Sequence, residues 1–171
     1  MKKIALFYAP KGGSVNCMAS MVTEKLGSQI VDMMCVSEVS ADKIIEYDKI
    51  IFGNSSIHRG STLADGDKNW QSFLTQLKKI DLTGKKVAIF GLGNQLTYPD
   101  HFVDSIGDLA EFLEDQNAKI CGKVLDEGYN YKKSRALRED KFMGLPLDEE
   151  SEGDKSEARI DSWLNQLKKE F

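Results

Sequence analysis

Gly91-Leu-Gly-Asn-Gln-Leu-Thr-Tyr-Pro-Asp100 gathers small residues, amides and one aromatic ring into a single stretch. It follows the apolar run Val87-Ala-Ile-Phe90 and leads into a periodic segment over residues 102–113. Glycines let a backbone approach a ligand closely, and Tyr98 offers a flat face with a polar tip. An ordinary βα turn also carries Gly and Tyr, so ligand binding and plain chain reversal both stand. Ala9-Pro-Lys-Gly-Gly-Ser-Val-Asn16 offers a different chemistry. A Gly pair curls the backbone so that several N–H groups and a helix N-terminus face one anion. Ser14 and Asn16 add donors there, and Lys11 adds a cation; the alternative is a tight turn with Ser14 as helix cap. Asn54-Ser-Ser-Ile-His-Arg-Gly60 sets short polar donors before Ile57, His58 and Arg59. Such a loop can hold the edge of a ring system while Ile57 or His58 covers its face. The alternative is a surface loop rich in Gly, Asp and Ser as far as Asp67.

Other chemistries lack their residues. No Gly-Lys-Ser/Thr follows the first loop at Walker spacing, and Leu96 stands where a dinucleotide fingerprint needs its third glycine. No Ser/His/Asp or Cys/His triad is present, so no catalytic residue is assigned. With only His58 and His101, and without zinc spacing among Cys17, Cys35 and Cys121, no metal site is expected. The cysteines read as reduced and mostly buried thiols.

Strand-like and helical patterns alternate behind these loops. Residues 3–8, 29–34, 49–53, 87–90 and 119–124 read as short apolar strands. Residues 15–26, 40–47, 70–77, 106–113 and 160–171 read as helices, with Ser40 a plausible cap for the second. This alternation implies a parallel sheet with helices on both faces. Residues 125–154 are polar, charged and too long for a simple connection, so an excursion interrupts or follows the fifth strand. Ligands of such sheets sit beyond the carboxyl ends of the strands, where the three loops converge. A length of 171 residues and the absence of any linker suit one domain over residues 1–171. The net charge of −4 argues against nucleic acid and suits basic protein surfaces. The opening apolar run ends too early for a signal peptide and no stretch reaches membrane length, so a cytoplasmic protein is expected.

Five stretches then carry a family resemblance: residues 84–107 around Gly91–Tyr98, Gly128-Tyr129, Ser134-Arg-Ala-Leu137, residues 141–150, and Arg159-Ile-Asp-Ser-Trp163. Over residues 2–171 the chain resembles a long-chain flavodoxin. The resemblance implies a three-layer α/β sandwich, with a five-stranded parallel sheet in the order 2-1-3-4-5 and a loop inserted in the last strand. It implies noncovalent FMN, one-electron transfer between a reductase donor and an oxidoreductase acceptor, and a monomer. By position, Tyr98 would stack on the flavin and Asn94 would lie at its pyrimidine edge, with backbone bonds from Gly91, Leu92 and Gly93. Asn54, Ser55, Ser56, Ile57, His58 and Gly60 would line the other side, and Asp100 and Phe102 would complete the Tyr98 loop. Pro10, Lys11, Gly12, Gly13, Ser14 and Val15 would receive the phosphate.

Several positions depart from the family pattern. Its Thr/Ser-rich phosphate loop is here rich in Gly with Lys11; Ile57 replaces a common Trp; Asn94 and Leu92 replace an acid and a Thr; and Asp65, Gly66 and Asp67 lengthen the second loop. Lost charged hydrogen bonds of about 1–3 kcal/mol each imply weaker FMN binding than usual. Arg59 favours an anionic reduced flavin, so a less negative second potential is expected than in acidic members. Two alternatives are an FMN-dependent NAD(P)H/quinone-type reductase and a binding module of the same fold that has lost or weakened FMN binding.

Overall fold

The computed structural model describes residues 4–55 and 68–171. Strands β1 (Ile4–Tyr8), β2 (Val31–Cys35), β3 (Lys49–Ser55), β4 (Lys86–Leu92) and β5 (Lys119–Cys121) pair in parallel in the order β2-β1-β3-β4-β5. Their apolar runs are nearly continuous because both faces are covered. Ala5, Phe7, Ile50, Phe52, Val87 and Ile89 join one core with helices α2 (Lys68–Leu77) and α3 (Asp104–Asp115). Leu6, Ile51, Ala88 and Phe90 join the other with α1 (Gly13–Leu26) and α4 (Glu149–Glu170). The period-two alternation of each strand thus feeds two separate cores.

The last strand is built from two distant pieces. β5 pairs with the start of β4, Lys86↔Lys119 through Ala88↔Cys121. The chain then leaves the sheet, and β6 (Val124–Leu125), β7 (Leu137–Arg138) and β8 (Lys141–Phe142) form a small antiparallel sheet in the order β6-β8-β7. It returns as β9 (Leu145–Leu147), which pairs with the end of β4, Phe90↔Leu145 through Leu92↔Leu147.

Some boundaries differ from the sequence reading. The fifth strand stops at Cys121, because Gly122 turns at φ 70 and its carbonyl accepts the Trp163 indole N–H at 2.9 Å. The closing helix starts at Glu149 rather than residue 160; Asp148 caps it by accepting the Ser151 N–H at 2.9 Å. Residues 41–46 form a 3-10 helix, with Ser40 as its cap as expected. Ser14 is not the cap of α1. That helix begins at Gly13, with Gly12 in the cap position and no side chain capping it. Cys35 and Cys121 are buried, whereas Cys17 is exposed, and all three are free thiols.

Candidate functional site

β1, β3 and β4 are neighbours in the sheet and run the same way, with Tyr8 beside Gly53 and Ser55 beside Leu92. The loops after them therefore leave one edge side by side. Ser56, Ile57, His58 and Gly60 lie outside the described residues.

In the first loop, Gly12 and Gly13 take φ values of 79 and 74, and nothing lies within 4 Å of where a side chain would begin. Here glycine is needed for the turn itself. Pro10, Lys11 and Ser14 are exposed, while Val15 is packed in the core and has only its backbone to offer. Asn16 Oδ1 accepts the Gly12 N–H at 3.2 Å, so the one amide in the loop braces the turn. The opening N–H groups of a helix have no partner within it. Without a capping side chain or an acidic residue in its first turn, α1 presents a positive end. Lys11 adds charge beside it and is ion-paired to Glu38, with both side chains largely exposed. Such a pair is weak and easily exchanged.

The third loop is fixed from beneath. Asn94 Oδ1 accepts the N–H groups of Leu96 at 3.0 Å and Thr97 at 2.9 Å, and Asn94 O accepts the Tyr98 N–H at 2.9 Å. Its Nδ2 donates to Glu150, and Ser151 Oγ donates to its Oδ1 at 3.3 Å. The Asn94 side chain and its carbonyl are therefore both spent on shaping the turn. Tyr98 comes out partly exposed and Asp100 exposed.

Gln95 ties this turn to two other regions. Its N–H and Nε2 both donate to Asp148 Oδ2, at 3.0 and 3.1 Å, and Nε2 also reaches Glu152 at 2.9 Å. Gln95 Oε1 accepts the Asn130 N–H from the excursion. Burial works against the charge of Glu152, but hydrogen bonds from Lys155, Gln95 and Arg159, together with the Arg159 charge, hold its carboxyl down to about 2. Arg159 in turn stacks 4.2 Å over Tyr129, whose hydroxyl donates to Pro146 O at 2.8 Å.

The remaining sequence candidates serve as supports. Asn54 is fully buried and exchanges hydrogen bonds with Ser105, accepting its hydroxyl at 3.0 Å and donating to its carbonyl at 3.3 Å. Gly91 and Gly93 make room for protein rather than ligand. A side chain at Gly91 would start 2.6 Å from Ile106, and one at Gly93 3.0 Å from Phe102. Leu92 is buried. Phe102 is also fully buried, stacked 5.2 Å from Tyr131 and beside Tyr129 and Phe142, where it anchors the excursion. Sequence reading passed over Gln95, Asp148 and Asp104. Asp148 carries a readable signal, a cap residue followed by acids in the first turn; the other two depend on partners distant in the chain.

The Flavodoxin family model matches residues 6–163. The chain belongs to the flavodoxin family. It is 36% identical over 170 residues to a flavodoxin of Nostoc sp., covering 99% of this chain and 98% of that one. It is 34% identical over 168 residues to a flavodoxin of Haemophilus influenzae, covering 98% and 94%. Among solved structures, it is similar to Fusobacterium nucleatum flavodoxin bound to flavin mononucleotide, with a TM-score of 0.90, 27% identity and coverage of 100% and 99%. As in the expected flavodoxin fold, the strand order is β2-β1-β3-β4-β5 with helices on both faces. Among the described residues, no helix of this flavodoxin is long and apolar enough to cross a membrane, and no group of His, Cys, Asp or Glu could hold a metal ion.

Proposed function

We propose that this chain carries single electrons on a noncovalently held FMN, taking them from a reductase and passing them to an oxidoreductase. The reading rests on the uncapped start of α1 behind the open Gly12–Gly13 turn, at the same sheet edge as Tyr98. A phosphate suits that turn, since Gly13, Ser14 and Val15 offer backbone N–H groups and Lys11 a positive charge. Tyr98, partly exposed on a turn braced by Asn94 and Gln95, suits an aromatic ring system. The Fusobacterium relative binds flavin mononucleotide in the same fold. When bound, FMN supplies a ring that accepts and releases one electron at a time.

The residues of this chain bind and orient rather than make or break bonds. The N-terminus of α1 fixes the phosphate, and Tyr98 limits water on one ring face. Operation as a monomer in the cytoplasm belongs to the same proposal. The test is a titration of apoprotein into FMN, followed by flavin fluorescence and visible absorption. Stoichiometric quenching is the expected outcome. Absence of both quenching and flavin bands at micromolar protein would refute the reading.

A further inference from the structure

His101 stands immediately beyond the Tyr98 turn, to which it is tied by its backbone N–H donating to Tyr98 O at 3.2 Å. Its ring is half exposed, with Nδ1 3.0 Å from Asp104 Oδ2. Asp104 is only 3% exposed and cannot swing away. Its Oδ1 accepts the Arg135 N–H at 2.7 Å, and the Arg135 guanidinium lies 3.2 Å from Oδ2. The geometry fixes the neutral tautomer of His101 as Nδ1–H and turns Nε2 away from the buried carboxylate.

Charge around the ring is nearly balanced. From α3 comes Asp104, with Asp108 behind it holding the Arg135 fork at 2.7 Å. From its own loop comes Asp100, and from the excursion come Asp126, Lys132, Lys133 and Arg135, which line a groove of about 860 Å³ with His101. Tyr129 and Tyr131 also line it, the latter with its hydroxyl donating to Asp126 at 2.8 Å. Three carboxylates thus meet three fixed cations in the groove, and the fourth cation depends on pH. Histidine is the side chain whose charge ordinarily changes between about pH 5 and 8.

We propose that His101 is a proton-holding residue coupled to electron uptake, an inference that rests on the FMN reading above. When one electron reaches the neighbouring cofactor, the added negative charge draws one proton from solvent onto Nε2. That proton returns to water when the electron leaves. Nδ1 keeps its hydrogen on Asp104 throughout, and no other bond forms or breaks. Asp104 acts as the positioning residue. Coulomb attraction across a few residues implies roughly three- to tenfold tighter proton binding by His101 in the reduced state. The reduction potential should then fall as pH rises through the range of about 5 to 8 and level off on either side.

The experiment compares wild type with His101→Gln as FMN-loaded proteins, titrated with dithionite across this pH range. Glutamine keeps the size and polarity of the ring edge without its charge. Any pH dependence intrinsic to the flavin is common to both proteins, so their difference is the reading. The two potentials should agree at alkaline pH, with wild type becoming more positive on acidification. Parallel curves at every pH would overturn the role of His101 while leaving the carrier reading intact. Failure of both proteins to take up FMN would overturn both. Imidazole ¹⁵N shifts of the apoprotein give a second check, simplified by the presence of only two histidines. Neutral His101 should carry its proton on Nδ1, and a predominant Nε2–H form would overturn the Asp104 geometry.

Discussion

Asp148 shows how much of the candidate site depends on one residue that never faces a ligand. Fully buried, it accepts N–H groups from Ser151 and twice from Gln95. Asp148→Ala leaves those donors unmatched, so an unfolding free energy lower by about 2–4 kcal/mol is expected from denaturant titration. Glu152 yields a pH prediction. Its folded pKa of about 2 lies below the ordinary glutamate value of 4.5, so its contribution is complete above about 4.5 and is lost as pH falls toward 2. Thermal midpoints should therefore drop across that window, and Glu152→Gln should flatten this part of the curve. Identical acid profiles in the two proteins would count against the Lys155–Glu152–Arg159 arrangement. At this scale the sequence shows residue types but not their commitments. The Gly12–Gly13 turn was legible because a glycine pair announces a sharp turn locally. The engagement of Asn94 with Glu150 spans 56 positions and follows no local pattern.

Among elements, β4 and α3 flank the Tyr98 turn, and both are held by close backbone approach. A side chain on Gly107 of α3 would begin 2.3 Å from the Arg135 carbonyl oxygen, and one on Gly144 equally close to that of Ile89. Backbone cannot yield as a side chain end can, so Gly107→Ala should destabilise by about 1–3 kcal/mol. Hydrogen exchange would show the excursion around residues 134–138 loosening first, while β1 and β3 stay protected. The apolar runs of the central strands were legible because burial on both faces leaves little else for them to be. The polar run of residues 125–154 marked an excursion at the fifth strand, and the family resemblance implied a loop inserted in that strand. β6, β7 and β8 are two residues each, too short for any periodicity to register. The start of α4 was missed because no apolar stripe marks its first turns, where the earliest buried residue of the helix is Ser156.

For the molecule as a whole, the net charge of −4 bears on encounter with partners. On the proposed carrier role, association with a basic reductase surface should slow by roughly tenfold between low and physiological salt. Stopped-flow electron transfer at several ionic strengths measures this directly, and a flat response would argue for an uncharged docking surface. The fold class followed from strand–helix alternation, and the sheet edge that such folds use told where to seek a candidate site. The bracing between distant segments was beyond sequence reading, because it exists only once both cores have closed. The divided fifth strand carries one more consequence, for the chain as it is synthesised from its N-terminus. By Cys121 the ribosome has delivered every strand of the order β2-β1-β3-β4-β5, and the nascent sheet can assemble. The end of β4 still lacks β9, and Gln95 still lacks Asp148 and Glu152. A sheet thus precedes its ligand cradle by some thirty residues of translation, and a chain released early would have the scaffold with the Tyr98 turn still unpinned.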